Sequence, residues 1–476
     1  MSARAHGQPL DAFHLPGLEP AEIDDWSVRE YARGISLRFP RLRPDQLVAV
    51  LRRLKERRAR VLADRPVADI AAALAAAAAR LARDDDARRR IALDALPAVT
   101  GYSPPMVRLV LDRMIEDWSE PSLLALLRSE FHDPGVLDGF RPHPAKQSGQ
   151  RTRAFGPELA FHIFAGNVPG VAVTSIVRSL LVKAATLGKT ASGEPLLPVL
   201  FAQTLADVDR PLGECLAVTY WPGGSEALEA AAFDAADTII VYGGAGVAED
   251  VRRRAPAGRR IVVHGPRFSL GLIGRAALAA PLADQTAAQA ARAAATFDQQ
   301  GCVSPHVYYV EQGGETTPAR FAEYLAAHLA RLEEELPRGS ISPAEAGAIQ
   351  AARADAEARA LAGADVHIHA PRGTEFTVIY DADPAFAPSP LNRTVRVKPV
   401  ADLADVAGLV RPIARFIQTV AVAGAGGRLA GLAELLGRAG ASRITSLTRM
   451  PWPPPTAHHD GQEPLRELVR WTDLED

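Results

Sequence analysis

Two cysteines occur among the 476 residues, Cys215 and Cys302. Cys302 stands in Phe-Asp-Gln-Gln-Gly-Cys-Val-Ser-Pro, residues 297–305, just ahead of the alternating run HVYYVEQ. A thiolate is a strong nucleophile, a preceding glycine lets a ligand approach the backbone, and element ends are where sites are built. The competing reading is a small buried apolar side chain, which Cys215 in ECLAVTY fits well. Cysteines so far apart give neither a disulfide framework nor a zinc spacing, so both are expected as free thiols, with no metal site.

Asn167 lies in FAGNVPG, between a strand candidate and a helix candidate. Its amide is either a donor aimed at an oxyanion or the side chain of an Asx turn that shapes the loop. Gly243 and Gly244 in IVYGGAGVAEDV link a strand to a helix, where free N–H groups suit a phosphate; a plain connection needs the same glycines. The same two readings hold for Gly224 in YWPGGSEALEAA, where Ser225 is a plausible N-cap. Lys183 closes the helical run VAVTSIVRSLLVKAA in a chain whose basic residues are nearly all arginine. It is either a solvated helix end or a phosphate ligand.

These residues need elements to hold them. From about residue 45 to 117 the apolar spacing is helical, with Ser103 as a cap and prolines in the following first turn. Residues 141–157 are polar and rich in Pro and Gly, which reads as a connection. Between about 158 and 265, ELAFHIFAG, CLAVTYW, DTIIVYGG and RRIVVHG alternate with helical stretches, the pattern of βαβ units around a parallel sheet. Beyond 265 the cysteine loop, long helices and the two alternating halves of VHIHAPRGTEFTVIYD suggest a second α/β domain, and the end of the chain reads as proline-rich and then helical. The expected organisation is a helical block over 1–140, a doubly wound, Rossmann-like cofactor domain over 141–265, a catalytic cysteine domain over 266–445 and a tail over 446–476.

Composition excludes several classes. With 47% hydrophobic and 23% charged residues, the chain has the make-up of a folded protein with more than one core. A formal net charge of -2 provides no basic field for nucleic acid. The start, MSARAHGQPLDAFHLPG, has no apolar signal core, and DIAAALAAAAARLA is too short and too interrupted to span a bilayer. A cytoplasmic protein without a membrane span is expected.

Taken in order and with their separations, FAGNVPG, LVKAA, IVYGG, VVHGPRFS and DQQGCVSP resemble the LuxC-type acyl-CoA reductase family of the aldehyde dehydrogenase superfamily. TGYSPPMVRLVLD and the terminal HHDG followed by LVRW extend the likeness to most of the chain from about residue 45. The resemblance implies an aldehyde dehydrogenase-like fold, with Cys302 carrying the acyl group and Asn167 with the Cys302 backbone N–H forming the oxyanion hole. It also implies that Lys183 meets the adenosine ribose, and that Gly224, Gly243, Gly244 and Gly265 lie along the cofactor.

Two departures bear on the chemistry. Ordinary aldehyde dehydrogenases resemble one another in a Glu-Leu-Gly-Gly-Lys segment whose glutamate activates water. Here the matching stretch is Val263-His264-Gly265-Pro266-Arg267, with no carboxylate. A thioester-reducing site should lack such a base, because hydrolysis would discard the acyl enzyme. His264, one position on, is either a proton donor or thiol partner, or a structural histidine. Similarly, SPLNRTVRV lacks the glutamate of the motif that meets the nicotinamide ribose. Thr186, three residues after Lys183, stands where NAD-preferring relatives often carry a glutamate, and the missing charge favours a 2′-phosphate and hence NADPH.

The expected activity is NADPH-dependent reduction of an activated, long-chain acyl group to an aldehyde. The donor is acyl-CoA, an acyl carrier or an acyl-activating partner enzyme, and a homo-oligomer is expected. The alternatives are an NAD-linked aldehyde dehydrogenase acting oxidatively and a non-catalytic acyl-binding scaffold.

Overall fold

The computed structural model describes residues 8–142 and 149–475; residues 143–148 of the connecting segment and the first seven of the N-terminal stretch read above lie outside them. The chain opens with a small sheet of β1 (Leu10–Asp11), β2 (Trp26–Glu30) and β3 (Ser36–Pro40), ordered β1-β3-β2, which the sequence reading did not anticipate. Five helices follow: α1 (Pro44–Val61), α2 (Val67–Leu81), α3 (Ala87–Thr100), α4 (Pro104–Asp117) and α5 (Glu120–Glu130). On α2 the residues Ile70, Ala71, Leu74, Ala77, Ala78 and Leu81 are buried, a three-and-four spacing that turns one stripe to the core. Ser103 does precede α4, but its hydroxyl makes no cap; the proline-started turn holds without it.

The stretch read as a bare connection forms β4 (Arg141–Pro142) and β5 (Arg151–Phe155). The end of the chain returns to it. After a turn of 3₁₀ helix at Arg466–Leu468, β18 (Arg470–Leu474) pairs antiparallel with β5, so the expected terminal helix is a strand. Alternation in RWTDL, with β-favouring Trp and Thr, suits an edge strand better than a helix.

Between these lies a parallel five-stranded sheet, built from β6 (Leu159–Ile163), α6 (Val171–Leu181), β7 (Ala185–Lys189), α7 (Leu197–Val208), α8 (Arg210–Gly213), β8 (Leu216–Thr219), α9 (Glu226–Ala235), β9 (Thr238–Tyr242), α10 (Ala245–Arg254) and β10 (Arg260–His264). Its order is β10-β9-β6-β7-β8. Alternate residues of β9 enter different cores: Ile240 and Tyr242 pack with α2 and α6, whereas Ile239 and Val241 pack with α1 and α9. That two-sided burial is the doubly wound arrangement, and its strand order reverses between β6 and β9.

The second sheet has seven strands. Its elements are β11 (Phe268–Ile273), α11 (Leu282–Ala295), β12 (Pro305–Glu311), α12 (Pro318–Glu335), α13 (Pro343–Leu361), β13 (Val366–His369), β14 (Thr377–Asp381), β15 (Thr394–Val400), α14 (Val406–Leu409), β16 (Ile417–Ala423), α15 (Leu429–Arg438) and β17 (Arg443–Thr445). The order is β13-β14-β15-β12-β11-β16-β17, and β13 with β14 is the antiparallel pair read from VHIHAPRGTEFTVIYD. Among the described residues no helix is long and apolar enough to cross a membrane.

Candidate active site

Ligands of open parallel sheets bind beyond the carboxyl ends of the strands, where the order reverses. Here that is the space past β6 and β9. The β6 end carries the Phe164–Gly170 loop with Asn167, and the β9 end carries Gly243 and Gly244. His264 ends β10, with Gly265 next. Facing them from the second sheet are the loop before β12, which holds Cys302, and the start of β16, which holds Gln418.

The cysteine loop is held in an unfavourable backbone conformation. Phe297, Asp298 and Gln299 all have positive φ, at 58°, 47° and 65°. Such a conformation costs non-glycine residues roughly 1–2 kcal/mol each, so neighbours must over-determine it. They do. Gln299 donates its amide to Pro305 O at 2.7 Å and Thr394 O at 2.9 Å, and accepts from Thr394 N at 2.8 Å. Asp298 accepts from Gly339 N at 2.9 Å and pairs with the fully buried Arg393. Ser269 Oγ then donates to Cys302 O at 2.7 Å, fixing the nucleophile's own peptide.

Asn167 reaches this loop directly: its Nδ2 donates to Gln300 O at 2.8 Å, two residues before Cys302. A primary amide has two N–H groups, which leaves one for a ligand oxygen. The asparagine is not an Asx-turn residue here. Tyr102, from the α3–α4 connection, brings its hydroxyl within 2.6 Å of Asn167 O and 3.0 Å of Phe297 O, and so ties the oxyanion loop to the cysteine loop. Gly166 is required in that loop, since a Cβ there would sit 2.9 Å from Glu194 N.

Cys302 is exposed in the crevice, whereas Cys215 is buried. Protein still crowds the exposed sulfur enough to disfavour a thiolate. Burial, then the Asp460 carboxylate, push the Cys302 thiol up to about 11, against lowering by Gln418, its own backbone N–H and Arg267. Cys215 is pushed up to about 12 by burial and is chemically quiet.

The residues around Cys302 include a set that the sequence reading missed. Asp460 Oδ2 lies 3.1 Å from His264 Nδ1, and Asp460 Oδ1 accepts from Gln418 Nε2 at 2.9 Å and pairs with Arg267 Nε at 3.0 Å. Despite burial these cationic and N–H partners, the His264 hydrogen bond first, hold the Asp460 carboxyl down at about 2. The His459 ring stacks on His264 with centroids 4.0 Å apart, and its Nδ1 accepts from Arg178 at 3.1 Å. The donor atoms of His264, His459 and Asp460 lie within 4.8 Å of one another, close enough for a metal. Hydrogen bonds already engage them, and Arg178 and Arg267 set two fixed positive charges against the group, so the donor set fits a hydrogen-bonded cluster better than a cation.

Of the expected cofactor residues, Gly224, Gly243, Gly244 and Gly265 lie at the carboxyl ends of their strands. Ser225 donates back to Pro222 O at 2.9 Å instead of capping α9, and no side chain caps α10. Lys183 and Thr186 do not join them. Helix α6 stops at Leu181, Lys183 has φ 63°, and β7 begins at Ala185, so both residues lie at or near the amino end of that strand. Lys183 Nζ pairs with Asp138 at 2.7 Å, and Thr186 is fully buried within the sheet. The residue that reaches the carboxyl end is Lys189, whose Nζ sits 5.8 Å from the Trp221 ring centroid. The short apolar run LVKAATLGK satisfies helix and strand alike, which is why the boundary misled.

Just ahead of α7, Glu194 accepts from Leu196 N at 3.1 Å and Leu197 N at 2.7 Å. Burial raises its carboxyl to about 7. The folded protein then holds this proton more tightly than the unfolded chain, so Glu194 stabilises the fold at acid pH and the contribution is lost as pH rises through about 7. Glu194→Gln should remove that loss. Relative to wild type, the variant should gain on the order of 3 kcal/mol of unfolding free energy between about pH 4 and pH 8. Equal pH dependence of the two unfolding curves would refute the assignment.

The architecture and the placement of a cysteine loop opposite an asparagine loop define an aldehyde dehydrogenase-like α/β protein. Aldehyde dehydrogenase 21 from Physcomitrella patens superimposes with a TM-score of 0.74 at 14% identity, covering 98% of each chain. An NADP-dependent glyceraldehyde-3-phosphate dehydrogenase from Bacillus halodurans C-125, complexed with NADP, gives a TM-score of 0.69 at 15% identity, over 95% of this chain and 96% of that one. Within that class, residues 62–471 match the acyl-CoA reductase (LuxC) family, and the chain belongs to that family of oxidoreductases acting on acyl groups. A relative from Aliivibrio fischeri, a long-chain acyl-protein thioester reductase, is 28% identical over 401 residues, 82% of this chain and 78% of its own length.

Proposed function

We propose that the protein reduces an activated long-chain acyl thioester to an aldehyde with NADPH, carrying the acyl group on Cys302. The observation that carries this reading is the meeting of the exposed Cys302 loop with the Asn167 amide at Gln300 O. Cys302 Sγ attacks the acyl carbon, the bond to the departing thiol breaks, and the thiol proton passes to that leaving group. The free Asn167 N–H and the Cys302 backbone N–H hold the oxyanion. When bound, the cofactor supplies a hydride to the acyl carbon. The hemithioacetal on Cys302 then collapses, releasing aldehyde and restoring the thiolate. His264 is proposed to carry the proton.

Direction follows from what water meets. Val263 puts no carboxylate against the thioester, and the carboxylate that is present, Asp460, has both oxygens occupied. Water therefore meets no free carboxylate of the kind that activates it in hydrolytic relatives, which favours reduction over hydrolysis. The name of the Aliivibrio fischeri relative supports a protein-borne acyl thioester as donor, beside acyl-CoA.

The cofactor reading rests on the uncapped start of α10 behind Gly243 and Gly244, which fits a pyrophosphate, and on Lys189 for the adenosine ribose. Three residues on is the uncharged Ser192, whose carbonyl accepts from Tyr31 Oη at 3.1 Å; no acid repels a 2′-phosphate at that position. Lys189→Ala should weaken NADPH binding about tenfold, the loss of one charge-assisted hydrogen bond. Lys183→Ala should leave affinity unchanged and lower the melting temperature. Fluorescence titration with NADPH separates the two, and the reverse pattern would return the role to Lys183.

The test of the function is intact-mass analysis after incubation with a panel of acyl-CoA compounds, followed by NADPH. One acyl adduct should appear, then vanish as aldehyde forms. An adduct that decays equally fast without NADPH would point to hydrolysis.

A further inference from the structure

The C-terminal turn is built to place one side chain. His459 and Gln462 bond each other in both directions, at 2.9 Å and 3.0 Å, and between them Asp460 and Gly461 have φ of 56° and 82°. A two-residue turn with both φ values positive is the type that Asp-Gly favours, and it makes the Asp460 conformation tolerable. The turn drives the carboxylate into the protein, where the side chain is 3% exposed and meets groups from three places: His264 on β10, Arg267 beyond it and Gln418 on β16. Gln418 is continuous with the nucleophile, because its neighbour Thr419 donates to the same Ser269 Oγ that holds Cys302 O.

We propose that Asp460 is the positioning residue of a Cys302–His264–Asp460 relay, with the carboxylate holding His264 so that Nε2 takes the Cys302 proton during acyl transfer. This rests on the acyl-cysteine reading above. With Nδ1–H donated to Asp460 Oδ2, the tautomer with an open Nε2 lone pair is the one the hydrogen bond selects. Nε2 accepts the proton as the S–C bond forms, and returns it to the departing thiolate as the old C–S bond breaks. Asp460 stays ionised and stabilises the imidazolium between those events. A relay is needed, since a thiol at about 11 is ionised in only about 10⁻⁴ of molecules near neutral pH. The stacked His459 is no substitute: burial, His264 and Arg178 hold it well below 6.5, with its Nδ1 occupied by Arg178.

The groups facing His264 are Asp460, His459, Tyr242 and, behind them, Arg178, Arg267 and His162, while Cys302 is acted on by the same Asp460 and Arg267. In wild type, alkylation of Cys302 by iodoacetamide should be faster near pH 7 than a thiol at about 11 would allow alone. In Asp460→Asn it should be about tenfold or more slower near pH 7 and climb steadily toward the thiol's own range. Cys302 acylation by an acyl thioester should slow in parallel. His264→Ala should match it, the double variant should be no slower than His264→Ala, and Asp460→Glu should recover part of the rate. Thermal unfolding of each variant separates lost fold from lost reactivity. An unchanged alkylation profile in Asp460→Asn, or losses that multiply in the double variant, would overturn the relay. If wild-type Cys302 accepts no acyl group from any donor, the function reading fails instead, while the alkylation profiles still decide the relay.

Discussion

Replacement of Cys302 by alanine is expected to abolish both acyl labelling and aldehyde formation, by a factor on the order of 10⁴ or more, as for loss of an attacking atom. Cofactor affinity should be unchanged, because the residues assigned to the cofactor lie on the carboxyl ends of β7, β8 and β9, across the crevice from the cysteine loop. The second cysteine makes the experiment clean. Cys215 is fully buried and its thiol is pushed up to about 12, so it offers no alternative site of labelling. Intact mass should therefore show one adduct in wild type and none in the variant. Continued turnover in Cys302→Ala would mean that hydride reaches the acyl donor without a covalent stage, and the mechanism would have to be withdrawn.

Asn167→Ala is the second large effect, with a rate loss on the order of 10²–10³, the scale of one oxyanion donor. Two consequences distinguish it from the cysteine variant. Acylation should still go to completion, only slowly, so the adduct accumulates at long times. Removal of the amide also breaks the bond to Gln300 O, although the other anchors of the cysteine loop, Gln299, Asp298, Ser269 and Tyr102, remain. The loss should therefore fall on kcat for donors of any chain length, with little change in melting temperature. A loss confined to KM would assign Asn167 to donor binding.

Legibility in the sequence followed the range of the interactions. Asn167, Gly243 and Gly244 were visible because each sits in a short glycine-bearing stretch between a strand and a helix, where local residue types dictate the turn. The five-stranded sheet was visible for the same reason, apart from β7. There, Ala185–Lys189 lacks β-branched residues except Thr186 and follows a helix of similar composition, so tertiary packing between β6 and β8 decides what local pattern leaves open. That Lys189, and not the expected Lys183, stands at the carboxyl end of β7 descends from that single boundary. Asp460 was beyond local reading altogether. It is bonded to a histidine 196 positions away, and the Asp-Gly pair announces only a turn, not the destination of its carboxylate.

The Tyr102 hydroxyl, poised between the carbonyls of Asn167 and Phe297, bears on how a bulky donor gains entry. A clamshell motion parting the two sheets would tear this latch and expose a buried phenol and two carbonyls to the gap. Admission by side-chain rearrangement at the rim leaves it closed. Through Tyr102 the helical block that carries it, ahead of the five-stranded sheet, is thus joined to both loops of the site at once.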